Sequence, residues 1–177
     1  MRSKATWPSL LGLLLIIPGL SLAEAPPSIA GPWTGTVSRV VDGDTIVVDV
    51  AGLWETVRII GIDTPEIVDP RKPVEAFAKE ASDYTKRTLS GKTVKLVADP
   101  GNTRIGHRDR YGRLLAYVWV GESFFNETII RDGYAHAYVK YPFRQDYMEL
   151  FRAAEKEARE ASRGLWGPPK EDGGTSK

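Results

Sequence analysis

The chain has 177 residues, 42% of them hydrophobic and 27% charged, with a formal net charge of +1; this is the profile of one globular domain with tails, long enough to bury a core unaided. It has no cysteine, which excludes disulfide frameworks, thiolate zinc sites, cysteine nucleophiles and Fe–S ligation. With only His107 and His136, a histidine-rich zinc centre is excluded too.

Met1-Arg2-Ser3-Lys4 is followed by an apolar run to Leu22 and the small-residue exit Ser21-Leu22-Ala23. A positive start, a short apolar core and small-x-small residues are the parts of a secretory signal. Pro8 and Pro18-Gly19 interrupt the run, which disfavours a buried helix, and the stretch is short for a retained membrane anchor of ~20 residues. The expected product begins at Glu24, is secreted or periplasmic, and has no stable membrane association. The leader carries Arg2 and Lys4 and no acid, so its removal takes the formal charge from +1 to −1. Attraction to a polyanion must then come from the arrangement of charges.

Glu24 to Pro32 reads as a proline-rich lead-in. Val37, Val40 and Val41 lead to the hairpin signal Asp42-Gly43-Asp44, and Ile46 to Val50 return. Ala51-Gly52 turns the chain into a third strand, Thr56 to Ile62. In an extended chain Arg58 shares a face with Ile60 and Ile62. After the loop Ile67–Lys72, Pro73 suits a helix start, and Val74, Phe77, Ala78, Ala81, Tyr84 and Thr88 form one stripe ending at Ser90-Gly91.

Thr93 to Val97 is a fourth strand, Asp99 to Tyr111 an exposed loop or hairpin with His107 on the surface, and Arg113 to Val120 a fifth strand. Phe124 to Gly133 reads as a short helix and Gln145 to Arg163 as a long one, with Tyr147, Leu150, Phe151, Ala154, Ala158 and Ala161 on its apolar side. Leu165 and Trp166 fold back onto the core, and the tail from Pro168 is polar. Residues 33–167 thus form one mainly β domain. Five short strands cannot bury both faces of an open sheet, and closure removes their edges. The expected architecture is a five-stranded OB-type barrel with three packed helices. No coiled-coil repeat is evident, and a monomer is expected.

Three segments place polar groups where a core strand does not want them: Asp42-Gly43-Asp44-Thr45, Arg58 through Glu66, and Asp109-Arg110-Tyr111-Gly112-Arg113. Clustered carboxylates repel one another unless a cation or arginines lie between them. Hard cations take oxygen ligands, which Asp44, Asp63 and the Thr64 carbonyl offer. Arginine suits a phosphate because its planar fork gives two parallel hydrogen bonds. Taken singly, each segment is more often an ordinary turn or a solvated ion pair, and nothing in composition or periodicity requires that the three meet.

Together, Val41-Asp42-Gly43-Asp44-Thr45, Val57 through Glu66 and Asp109 through Tyr117 resemble the staphylococcal nuclease (thermonuclease) family, and Asn126-Glu127 to Gly133 and Gly164-Leu165-Trp166 fit its later part. The resemblance implies an OB barrel with three helices and a Ca2+-dependent enzyme that cleaves DNA and RNA to 5′-hydroxyl and 3′-phosphate ends. By that resemblance Asp44, Asp63 and the carbonyl of Thr64 bind calcium. Glu66 orients or deprotonates the attacking water, and Arg58 and Arg113 hold the phosphate. Arg110, Tyr138 and Tyr141 fall where the family contacts substrate, the tyrosines with a different local spacing. OB barrels also bind oligonucleotides without cutting them; that alternative predicts metal-independent affinity and an indifferent Glu66.

Overall fold

The structure, a computed structural model, describes residues 32–65 and 77–168. The leader, most of the lead-in, Glu66, the loop with Arg71 and Lys72, the helix start at Pro73 and Val74, and the tail beyond Pro168 lie outside the described residues.

Strands β1 (Trp33–Val40), β2 (Thr45–Val50), β3 (Leu53–Ile59), β5 (Thr93–Val97) and β6 (Leu114–Val120) form the barrel. β1 pairs with β2, β2 with β3 and β5 with β6, all antiparallel. β5 also pairs with the first half of β1, and a parallel pairing of β3 with β6 closes the ring. The register of β1 shifts between Val37 and Arg39; a bulge of this kind bends a strand sharply, as closure of so small a barrel demands. Ile46, Val48, Val57, Ile59, Val94, Leu96, Leu114, Ala116 and Val118 are buried in the core.

The third strand has the expected length but lies three residues earlier, at Leu53–Ile59. It stops at Ile59, turns at Ile60-Gly61, and resumes as β4 (Ile62–Asp63), which pairs with β8 (His136–Ala137) in a second small sheet. Gly61 has φ +75°, and a Cβ there would lie 2.5 Å from the Phe151 ring. The chain turns because the long helix packs against it at that point, and only glycine fits both the angle and the gap. Ile60 and Ile62 are buried while Arg58 is half-buried, so the continuous face read for Arg58, Ile60 and Ile62 is broken by the turn.

Among the described residues three α-helices pack on the barrel: α1 (Ala78–Leu89), α2 (Phe125–Arg131) and α3 (Gln145–Glu160). The buried face of α1 is Ala78, Ala81, Ser82, Thr85 and Leu89; it shares Ala78 and Ala81 with the expected stripe, while Tyr84 and Thr88 are only half-buried. Phe77 precedes the helix in a left-handed conformation (φ 72°) and stacks on Tyr134. Tyr84 also stacks on Tyr134 and donates its hydroxyl to Asp132 at 2.6 Å. α3 buries Phe151, Ala154 and Ala158 and ends earlier than expected, leaving Ala161 exposed. β7 (Ser123–Phe124) and β8 are two-residue strands that no periodicity announced.

The segment 99–111 is not simply an exposed loop. Asp99 is buried and caps a 3₁₀ turn over Pro100–Ile105 by accepting from the Gly101 N–H. His107, expected on the surface, is buried too. Its N–H donates to the Asn102 carbonyl and its own carbonyl accepts from Leu115, so the backbone ties the ring inward. Leu165 does return to the body, its N–H donating to the Gly133 carbonyl at 2.8 Å. No helix among the described residues is long and apolar enough to cross a membrane.

Candidate active site

Asp44, Arg58 and Asp63, from the first two segments, meet at one end of β2 and β3. Thr45 opposes Arg58 in the ladder, and Ile59 donates its N–H to the Asp44 carbonyl at 2.9 Å. Strand pairing alone therefore sets Asp44 beside Arg58. The Arg58 Nη2 lies 2.9 Å from Asp44 Oδ2 and 3.2 Å from Asp63 Oδ1. Its Nη1 donates to the carbonyls of Ile59 and Ile62, both at 2.8 Å, so one guanidinium clamps the turn between β3 and β4 and joins two carboxylates from different elements.

Asp44 is buried, and burial pushes its carboxyl up to about 7. Arg58 pulls the other way, Asp42 adds to the rise, and the Thr45 hydroxyl, donating at 2.9 Å, opposes it. The Thr64 N–H points at Asp44 Oδ2 from 3.4 Å. Behind this group Thr85 of α1 donates its hydroxyl to the Gly43 carbonyl at 2.8 Å, fixing the Asp42–Asp44 turn from below. β4 is held in turn by β8, where His136 opposes Asp63 and Glu155 of α3 accepts from the Ala137 N–H at 3.3 Å.

Arg113 comes from the third segment. Asp109 holds it through the Arg113 N–H at 3.0 Å and the Nε at 2.7 Å, and takes the Tyr111 N–H at 2.9 Å. Burial lifts the Asp109 carboxyl, but these donors outweigh it and leave it below the usual carboxylate range. The Arg113 Nη1 reaches to 3.5 Å from the Thr45 hydroxyl, which is itself bonded to Asp44. The third segment thus approaches the first two through Thr45. Thr45, Thr85 and Asp109 are supports that the sequence reading did not single out. For Asp109 a signal was present: an aspartate three residues before Gly112 in a polar stretch is the pattern of a side chain that closes its own turn.

Arg110 and Arg113 flank the exposed Tyr111 ring, at 4.7 and 5.4 Å from its centre. Tyr138 follows β8 and donates its N–H to the Gly61 carbonyl; its ring leans on that of the exposed Tyr141 at 5.9 Å. Glu66 lies outside the described residues.

The donor set fits a hard cation. Among the described residues no group of three acidic or histidine side chains gathers with metal-binding geometry, but Asp44 and Asp63 aim oxygens at a single positively charged nitrogen. Two carboxylates held together in this way need positive charge between them, and every donor offered is oxygen, as calcium prefers.

Residues 56–168 match the family model described as staphylococcal nuclease homologue. The chain is 44% identical over 139 residues to a thermonuclease of Staphylococcus hyicus, spanning 78% of this chain and 79% of that one. It is 43% identical over 130 residues to a thermonuclease of Staphylococcus intermedius, spanning 73% and 74%. An endonuclease of Bacillus subtilis, YncB, is 36% identical over 131 residues, 74% of this chain and 60% of that protein. The chain belongs to the staphylococcal nuclease family.

Proposed function

We infer that this chain is a calcium-dependent phosphodiesterase that hydrolyses DNA and RNA and leaves 5′-hydroxyl and 3′-phosphate ends. The observation that carries the reading is the convergence of Asp44 and Asp63 on Arg58, with Arg113 reaching toward them through Thr45, in a chain with thermonuclease relatives. Asp44, Asp63 and the Thr64 carbonyl would hold the ion. When bound, it supplies positive charge that draws a phosphate oxygen and eases ionisation of water.

The rest falls to the chain's own side chains. Glu66, three residues beyond Asp63, orients or deprotonates the attacking water. The water oxygen bonds to phosphorus, the bond to the 5′-oxygen breaks, and that oxygen takes up a proton to become the 5′-hydroxyl. Arg58 neutralises charge growing on the five-coordinate phosphorus. Arg113 grips the same group and stabilises the departing oxygen. A guanidinium's pKa is too high for an efficient acid, so both arginines act by charge and hydrogen bonding. Arg110, Tyr111, Tyr138 and Tyr141 flank the substrate. The leader Met1–Ala23 exports the enzyme, which acts as a monomer outside the cytoplasm.

The test is cleavage of single-stranded DNA by the Glu24–Lys177 protein, with calcium and with a chelator, followed by end-group analysis. Calcium-dependent cutting to 3′-phosphates is expected. Binding that needs no metal, without cleavage, overturns the reading in favour of a non-catalytic module.

A further inference from the structure

One ion pair has no part in the reaction just described. Glu55 of β3 and Arg108, 53 residues later, meet side by side: Nη1 to Oε2 and Nη2 to Oε1, each 2.9 Å. The same Nη1 donates to the Gly112 carbonyl, also at 2.9 Å. Both side chains are only partly covered, 30% and 24% exposed. A pair so placed adds little to stability, and holding an arginine on three acceptors sacrifices side-chain entropy. Its effect is on geometry.

The parallel ladder between β3 and β6 runs from Val57 opposite Leu114 to Ile59 opposite Ala116. It begins one residue after Arg113, so it does not reach the turn that carries that arginine. Within the turn, Asp109 and Arg113 bond through their backbones and Gly112 donates to the Asp109 carbonyl. Arg108 ties this closed turn to β3 through Glu55. Its backbone bridges to Leu114, and the buried His107 before it is anchored to Asn102 and Leu115. Its side chain then crosses to β3, three residues before Arg58. The next residue, Asp109, grips the Arg113 Nε. Arg108 therefore holds the start of the turn through its backbone and the end of it, at Gly112, through its side chain.

We propose that Arg108, braced by Glu55, is a positioning residue for Arg113: the bidentate pair fixes the Asp109–Gly112 turn relative to β3, and so fixes the Arg113 guanidinium relative to Arg58 and the phosphate between them. The proposal rests on the functional reading above. A fork of three donors is needed, and an ammonium cannot span both glutamate oxygens and the carbonyl in that plane.

The experiment is a double-mutant cycle on kcat/KM for single-stranded DNA under saturating calcium. Arg108→Gln is expected to lower kcat/KM on the order of tenfold, the scale of a small misplacement of a substrate-holding group. In an Arg113→Ala background the same change is expected to cost less than about twofold, because the group it positions is gone. Arg108→Lys is expected to recover little. The calcium-induced rise in Tm stays unchanged in Arg108→Gln, since the ion's ligands lie on other elements. Glu55→Gln leaves the bond to Gly112 in place and carries the same cycle should Arg108→Gln fold poorly. Wild-type kcat/KM in Arg108→Gln, full recovery in Arg108→Lys, or an equal loss in both backgrounds overturns the positioning role. Absence of calcium-dependent cleavage by the unmodified protein instead overturns the functional reading, and the positioning role with it.

Discussion

Asp44, just ahead of β2, places its Oδ2 2.9 Å from the Arg58 Nη2 at the end of the β2–β3 ladder, with side chains only 10% and 16% exposed. Breaking a pair this well covered from the arginine side leaves a buried carboxylate uncompensated. Arg58→Ala also removes the donors of the Ile59 and Ile62 carbonyls. In metal-free protein the expected cost is about 3 kcal/mol by urea unfolding. Calcium should restore part of it, because the ion brings the positive charge that the two carboxylates lack. Turnover should fall by at least ~10²-fold, the effect of losing one well-aimed transition-state donor. Near-wild-type cleavage by a folded Arg58→Ala protein sinks the assignment.

The same carboxyl links metal binding to protons. Burial lifts Asp44 from the ordinary 3.8 to about 7. A carboxyl raised on folding holds its proton more tightly in the folded state. In metal-free protein its contribution to stability is therefore full below the ordinary value and is lost as pH climbs to about 7. Calcium needs the ionised form, so its affinity should weaken by up to about tenfold for each pH unit below 7. Calorimetric titration in two buffers of different ionisation heat checks this. About one proton should leave per calcium bound near pH 6, and close to none near pH 8. Equal affinity and no proton release at both values would refute the linkage.

The barrel was legible because its strands alternate or run apolar between clear turns, as in Ile46–Val50 and Thr93–Val97. The carboxylates and arginines were legible by type, since Asp44, Arg58, Asp63 and Arg113 stand where packing gives no reason for them. Their meeting was not. It depends on the Thr45–Arg58 register, on the break at Gly61 that lets Arg58 cap both sides of a turn, and on Asp109. The register and the break are tertiary facts, while Asp109 closes its own turn locally. A glycine inside the apolar strand, Gly61, is a local sign of a bulge or a close approach, but what approaches is Phe151, ninety residues away in sequence, which local pattern does not name. His107 misled for the same reason: a polar residue in a polar stretch is drawn inward by backbone bonds to Asn102 and Leu115.

Gly43 tests how tightly the Asp44 turn is built against Thr64. A Cβ on Gly43 would stand 2.7 Å from both the Thr64 Oγ1 and Cγ2, closer than non-bonded atoms tolerate. Gly43→Ala must push Thr64 away, and with it the carbonyl proposed to face the ion. The expected destabilisation is about 1–3 kcal/mol, the range for overpacking. The sharper expectation is a smaller calcium-induced rise in Tm than in wild type. An unchanged calcium response would show that Thr64 is not held where the ion binds.

Asn126 extends the argument from the site to its frame. Its side chain is fully buried in α2 and bonds in two directions: Oδ1 accepts the Val118 N–H at 2.8 Å, and Nδ2 donates to the Ile60 carbonyl at 2.7 Å. One amide thus satisfies a barrel strand and the turn that Arg58 clamps. Asn126→Ala leaves a buried N–H and a buried C=O without partners, each costing about 1–3 kcal/mol. Asn126→Asp keeps the acceptor for Val118 but turns the donor into an acceptor facing the Ile60 carbonyl, and adds a buried charge. Both variants should lower the urea midpoint, and Asn126→Asp should recover part of the loss at acid pH, where a protonated carboxyl can donate again to Ile60. Activity per folded molecule should fall less than stability, because Arg58 still holds the turn through Ile59 and Ile62. A stability loss under about 0.5 kcal/mol in Asn126→Ala, the range of an ordinary surface change, would show that the turn and the helix are not joined through this amide.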